Sequence, residues 1–190
     1  MTTNVMIVGV GGQGSLLASK LLGHVALSKG LDVKVSEVHG MSQRGGSVVT
    51  YVRFGDKVYS PIIDKGEADY VISFELLEAA RQMPFLKPGG QVVVNSQQID
   101  PMPVITGAMT YPEGLIDKMK ASGANVDAFD ALSIAREAGS IKAANIVLMA
   151  RFSKYFKDIT EEEWLASLEA CVPAKFLELN KKAFELGRNA

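Results

Sequence analysis

Cysteine is almost absent from this chain: Cys171 is the single thiol among 190 residues. One thiol cannot close an internal disulfide, complete a four-thiolate zinc site or ligate an iron–sulfur cluster. Any redox metal centre working with this chain therefore sits on another polypeptide, and Cys171 is read as a small buried apolar residue on a helix. Histidine is scarce too: His24 falls in a helical pattern and is expected on its surface, and His39 falls in a loop. No charge sign dominates, since 20 Lys and Arg against 21 Asp and Glu leave a formal net charge of -1. Without a basic face, nucleic acid is not expected as a partner; without a Lys/Arg run, neither is an anionic membrane surface. No run of about 18 apolar residues exists to make a membrane-spanning helix. No charged leader and hydrophobic stretch precede the first apolar run, so no secretory signal is expected and the reading is cytoplasmic. Internal repeats, low-complexity tracts and convincing linkers are also missing, so 1–190 is read as one domain.

What is present is an ordinary globular balance, 47% hydrophobic and 22% charged, in a chain long enough to bury roughly 70% of its unfolded surface without a staple. Val5-Met6-Ile7-Val8 reads as a strand buried on both faces, as in a parallel sheet. Residues 15–29 carry Leu16, Leu17, Leu21, Leu22, Val25 and Ala26 at helical spacing, with Gly30 as the C-cap. Residues 32–37 follow as a strand, giving a β-α-β unit with a right-handed crossover. Residues 47–54 alternate as a strand, and Gly55-Asp56 signals a hairpin turn back onto 57–59. Residues 70–74 and 91–95 read as buried strands, with a helix over 75–83 between them. Residues 100–112 hold three prolines and read as loop, with a short strand at Val104-Ile105. A short helix is expected at 115–121, a last strand at 125–129 and a helix at 131–138. Beyond Lys142 the chain reads as helical: 143–156, then a helix opened by the capping-box spacing of Thr160 and Glu163, then 175–186. The fold class is α/β: a Rossmann-like, mainly parallel sheet with flanking helices, a hairpin insertion and C-terminal helices.

Two glycine loops carry the chemistry. Gly9-Val10-Gly11-Gly12-Gln13-Gly14 stands between a strand and a helix and fits G-x-G-x-x-G. Its glycines allow a tight turn and close backbone approach, and the helix N-terminus offers free amides to an anion. Packing of helix on sheet or on a partner chain is the alternative reading of the same glycines. A free-standing NAD(P)-binding oxidoreductase would use Gly9, Gly11 and Gly14, with Glu37 on the ribose. A purely docking role for both loops stays open as well. The second loop, Glu37-Val38-His39-Gly40-Met41-Ser42-Gln43-Arg44-Gly45-Gly46-Ser47, gathers Ser42, Gln43 and Arg44 among glycines, and Arg44 can present a planar fork of donors to a carboxylate or phosphate.

In this order, the Gly-Gly-Gln-Gly turn and the Glu-x-x-Gly-x-Ser-Gln-Arg-Gly-Gly loop resemble the gamma domain of the 2-oxoacid:ferredoxin oxidoreductases. Within that family, Ser-Gln-Arg-Gly-Gly-Ser followed by an alternating strand is most similar to the small (beta) subunits of the indolepyruvate branch. The resemblance covers essentially the whole chain, with most weight in the first sixty residues. Asn145 also looks like a family position, and Ala150 stands where the family often has glycine. The resemblance implies a holoenzyme that oxidatively decarboxylates a 2-oxoacid, joins the acyl group to coenzyme A and passes electrons to ferredoxin. It places thiamine diphosphate, Mg and 4Fe-4S clusters on a large catalytic partner subunit, and it associates the gamma domain with coenzyme A. On this reading Gly11, Gly12, Gln13 and Gly14 form one rim with Ser42, Gln43, Arg44, Gly45 and Gly46, above the carboxyl edge of the sheet. Arg44 would hold a coenzyme A phosphate or a partner carboxylate; Gln13, Ser42 and Gln43 would orient it. No residue of this chain is expected to act as nucleophile or proton-transfer group.

Overall fold

The computed structural model describes residues 2–39 and 46–190. Six strands form one sheet: β1 (Thr2–Val10), β2 (Asp32–His39), β3 (Ser47–Gly55), β4 (Ala68–Ser73), β5 (Leu86–Asn95) and β6 (Asn125–Phe129), in the order β2-β3-β1-β4-β5-β6. β1, β4, β5 and β6 run parallel. The sheet centre explains the unbroken apolar runs, because Val5, Met6, Ile7 and Val8 are all fully buried. Each such side chain contributes roughly 1.5–3 kcal/mol by leaving water.

The hairpin insertion is β2 with β3, and not residues 57–59 folding back after β3. β3 is antiparallel to β1 on one side over its full length and to β2 on the other from Val48 to Gly55. With both edges of β3 taken, 57–59 find no open ladder and form no strand. They are tied down instead, for the Val58 amide donates to Asp32 Oδ2 at 2.9 Å. β1 and β2 therefore point the same way, joined by α1 (Ser15–Ser28), with β3 inserted between them.

Two helical layers cover the sheet. α2 (Leu76–Arg81) and α4 (Leu115–Ala121) pack on one face. On the other lie α1, α5 (Ala131–Ala138), α6 (Ala144–Ser153), α7 (Glu161–Cys171) and α8 (Leu177–Asn189). α6 is buried on nearly every side, which is why its sequence has no polar stripe. α8 lies directly against it, and a Cβ at Gly187 would stand 2.6 Å from the Val147 carbonyl. The capping box at α7 is present in both directions. Cys171 is buried on α7, and His24 is exposed on α1. Val104-Ile105 belong to a one-turn helix, α3 (Met102–Ile105), and not to a strand. Pro101 and Pro103 suit a helix start, where their missing N–H groups are not needed. Among the described residues no helix is long and apolar enough to cross a membrane.

Candidate functional site

The site lies where the parallel strands end. β1 sends its chain to α1 on one face, and β4 sends its chain to α2 on the other. At such a reversal the loops diverge and leave a crevice at the carboxyl edge. A cleft of about 480 Å³ is found there, walled by Gly12, Gln13 and Gly14 after β1, Phe74 after β4, Asn95, Gln97 and Ile99 at the end of β5, and Lys142 ahead of α6.

The glycine loop is held by side-chain amides. Gly12 and Gly14 have φ of 95° and 90°, the left-handed region that glycine enters without a steric penalty. A Cβ on Gly14 would stand 2.4 Å from Asn145 Nδ2. That nitrogen donates to the Gly14 carbonyl at 3.3 Å, while Asn145 Oδ1 accepts from the Ile146 N–H at 2.8 Å. Gln13 is turned inward: its Oε1 accepts from the Val10 N–H at 2.7 Å. Its Nε2 donates to the Phe74 carbonyl and to Gln97 Oε1, each at 3.2 Å. Asn95 repeats the pattern, with Nδ2 donating to the same two acceptors at 3.2 and 3.3 Å and Oδ1 accepting from the Ala131 N–H at 3.0 Å. Three amide side chains thus lock the ends of β1, β4 and β5 to the start of α5.

Of the residues singled out in the sequence, Gly12, Gln13 and Gly14 line the cleft. The Gly11 N–H is engaged, donating to the Gly46 carbonyl at 2.9 Å, one step beyond the last β1–β3 pair, Val10 with Ser47. This bond ties the first glycine loop to the end of the second. Ser42, Gln43, Arg44 and Gly45 lie outside the described residues, as does the side chain of His39. The Ser47 hydroxyl donates to Glu78 Oε2 at 2.5 Å, which fixes the foot of that loop to α2. Glu37 sits on β2, separated from β1 by the whole of β3. Its Oε2 accepts from Ser15 Oγ at 3.2 Å and from Thr50 Oγ1 at 3.0 Å.

The residues not found in the sequence are Asn95, Gln97 and Lys142. Asn95 directly follows the apolar run Val92-Val93-Val94 and Gln97 stands two residues on, and two amides at the carboxyl end of a buried parallel strand were a usable signal. Lys142 offered none, because only the packing of α6 brings it to the mouth of the cleft. It is exposed and forms no ion pair among the described residues. No side chain caps α1, so its first amides keep their positive partial charge. The cleft combines that helix start, one lysine and neutral amides, an environment for an anionic group on an otherwise polar molecule. Among the described residues no group of three or more His, Cys, Asp or Glu is placed to hold a metal.

Beside the cleft, Glu75 is buried at the N-cap of α2, accepting from the Glu78 N–H at 2.9 Å. Its other oxygen accepts from the Ile99 N–H at 3.1 Å and from the Tyr111 hydroxyl. Burial, and then the Glu75 carboxylate, push the Tyr111 hydroxyl well above its ordinary pKa, so it stays a donor.

The chain is similar over nearly its whole length to known proteins. The family model described as pyruvate ferredoxin/flavodoxin oxidoreductase matches residues 4–190. The indolepyruvate oxidoreductase subunit IorB of Thermococcus kodakarensis is 45% identical, over 98% of this chain and 95% of that protein. The protein of the same name from Archaeoglobus fulgidus is 38% identical, over 100% and 95%. Among solved structures, the gamma subunit of a keto/oxoacid ferredoxin oxidoreductase from Geobacter sulfurreducens shares the fold with a TM-score of 0.73 at 23% identity, over 98% of this chain and 96% of that one. A 2-oxoglutarate:ferredoxin oxidoreductase from Magnetococcus marinus superposes with a TM-score of 0.72 at 20% identity, over 99% of this chain but 30% of that one. With a family model spanning nearly its whole length and relatives above one-third identity, the chain belongs to the pyruvate ferredoxin/flavodoxin oxidoreductase family.

Proposed function

We propose that this chain is the small subunit of a cytoplasmic 2-oxoacid:ferredoxin oxidoreductase that acts on indolepyruvate or another aryl pyruvate, forming an acyl-coenzyme A and passing electrons to ferredoxin. The observation that carries the proposal is the similarity, over nearly the full length of both proteins, to the indolepyruvate oxidoreductase subunits. The residues of the cleft support the same division of labour. Among the described residues that line it there is no thiol, imidazole or carboxylate to serve as nucleophile or base. The bond-making belongs to thiamine diphosphate, with Mg and 4Fe-4S clusters, on a large partner subunit.

The cleft fits an anionic end of coenzyme A. The amides at Gly12, Gly14 and the first turn of α1 would receive a phosphate, and Lys142 would neutralise it. Gln13, held by Val10, Phe74 and Gln97, keeps the loop in the shape that exposes those amides. Arg44 is assigned to the same anion or to a carboxylate of the partner, with Ser42 and Gln43 orienting it. When bound, coenzyme A supplies the thiol that accepts the acyl group; this chain's residues place and hold it.

The test is anoxic affinity isolation of the chain from its native extract, with mass identification of what accompanies it and assay on indolepyruvate. A large companion carrying thiamine diphosphate and iron–sulfur clusters, with activity dependent on coenzyme A, is the expected result. In that complex Arg44→Ala should raise the KM for coenzyme A roughly tenfold, the loss of one charge-assisted contact, without unfolding the subunit. Unchanged turnover at every coenzyme A concentration would remove Arg44 from the site. A chain that comes out alone and binds NAD would overturn the subunit reading.

A further inference from the structure

We propose that Gln97 is a specificity-determining residue of the cleft: its Nε2 is held facing the ligand as a donor, and it receives an oxygen acceptor of bound coenzyme A. The inference rests on the function proposed above and names, for that cleft, the side chain that reads the ligand.

The direction of an amide side chain is set by what it faces, and here the bonds start from groups that cannot turn round. The N–H groups of Val10 and Ala131 only donate, so they draw the oxygens of Gln13 and Asn95, at 2.7 and 3.0 Å. The Phe74 carbonyl only accepts, and it takes the nitrogens of the same two side chains, each at 3.2 Å. Both amides are thereby oriented without reference to Gln97. Each nitrogen carries a second hydrogen and directs it to Gln97, at 3.2 Å from Gln13 and 3.3 Å from Asn95. Two donors converge only on an acceptor, so the atom between them is Gln97 Oε1. The main chain of Gln97 is fixed as well, its carbonyl accepting from the Leu76 N–H at 3.0 Å.

The Gln97 nitrogen is what remains. It donates to no group among the described residues, and it is not sealed in the interior: of their buried side-chain polar atoms only Trp164 Nε1 lacks a partner. Gln97 is half-buried and lines the cleft, so its N–H groups open there. Turning the amide over would set those N–H groups against the ones of Gln13 and Asn95 and lose both bonds. The wall at this point is therefore a donor of fixed sign.

A fixed donor selects. A ligand atom with lone pairs and no hydrogen fits against it, whereas an N–H group in the same place would leave donors opposed. Coenzyme A carries such acceptors in its phosphates and in the amide carbonyls of its pantetheine arm. Phe74, Ile99, Leu132 and Ile141 give the cleft apolar surface, which strengthens a hydrogen bond made beside it.

The test uses the complex of this chain with its large subunit and two variants, Gln97→Glu and Gln97→Leu. Glutamate keeps an oxygen between Gln13 and Asn95 and replaces only the outward N–H groups. Gln97→Glu should therefore leave hydrogen exchange at the Val10 and Ala131 amides unchanged and weaken coenzyme A binding, read by calorimetry, at least roughly tenfold. The ratio to the unaltered complex should persist at high salt, where long-range repulsion between the new carboxylate and the phosphates is screened. Leucine removes the donor and the oxygen together, so exchange should quicken at both amides while binding weakens less than in Gln97→Glu. A residue that only braces the loop would give the opposite order, with binding following protection; that order overturns the inference, as does unchanged binding in Gln97→Glu or its recovery at high salt. Adenosine bisphosphate, the coenzyme A fragment without the pantetheine arm, locates the acceptor. Equal weakening for both ligands in Gln97→Glu assigns a phosphate oxygen, and weakening for coenzyme A alone assigns a carbonyl of the arm. An unaltered complex that binds no coenzyme A overturns both this inference and the reading beneath it, whereas binding that Gln97→Glu leaves intact removes Gln97 alone.

Discussion

At Gly14 two constraints meet, a positive φ and an asparagine nitrogen 2.4 Å from where a Cβ would stand. Gly14→Ala therefore strains the backbone and pushes Asn145 away from the carbonyl it holds. A loss of about 1–3 kcal/mol is expected, read by urea unfolding of the chain; a loss below a few tenths would mean that the loop relaxes freely. The glycine pattern was legible in the sequence because a strand and a helix flank it. The partnership of Gln13 with Gln97 and of Gly14 with Asn145 was not, because 84 and 131 positions separate them. Gln13 in particular invites reading as a ligand donor, since nothing local reveals that Val10, Phe74 and Gln97 already occupy its amide.

Among the elements, α7 was the most legible, because a capping box is a local device. Thr160 Oγ1 accepts from the Glu163 N–H at 3.3 Å, and Glu163 Oε2 accepts from the Thr160 N–H at 2.8 Å. Thr160→Ala should cost about 1 kcal/mol, measured as a lower urea midpoint with an unchanged slope. The long apolar helices and buried strands were likewise carried by periodicity. The place of β3 was not. Its alternation marks a strand half-buried on the helical side, and it is equally compatible with pairing to 57–59 or with lying between β1 and β2. Strand order is decided by which edges remain open, a property of the assembled sheet. α3 failed as a strand for a related reason: four residues carry too little period to separate β-branched side chains in a strand from the same side chains in a single helical turn.

Stability of the whole molecule should fall in alkali for an identifiable reason. Arg151 holds Asp127 with two bonds, at 2.7 and 2.9 Å, and the Tyr155 hydroxyl donates to the same carboxylate at 3.1 Å. This cluster joins β6 to α6 and the turn after it. Burial, and then the Asp127 charge, push the Tyr155 hydroxyl from its ordinary 10.0 up to about 12. A raised folded value means that the contribution is complete below the unfolded pKa and is lost as pH rises through the folded one. Unfolding free energy should therefore decline between about 10 and about 12, and Tyr155→Phe should flatten that decline while lowering stability at neutral pH. An alkaline limb identical in the two proteins would assign the loss elsewhere. The family was readable at this scale from two loops in a fixed order, while the cleft they border depends on elements contributed by the rest of the chain.

The position of β1 also fixes an order of events during synthesis. β1 leaves the ribosome before both its neighbours: β3 ends at Gly55 and β4 at Ser73. Until β3 has emerged, the central strand of the sheet is an unpaired apolar segment, the kind of edge that seeks other chains. The glycine loop at its end cannot take its final form before then, since Phe74, Gln97 and Asn145 hold it from further along. The part of the sequence that most plainly announces the family is thus among the last to become structured, and the nascent chain leaves β1 open to other chains while it waits.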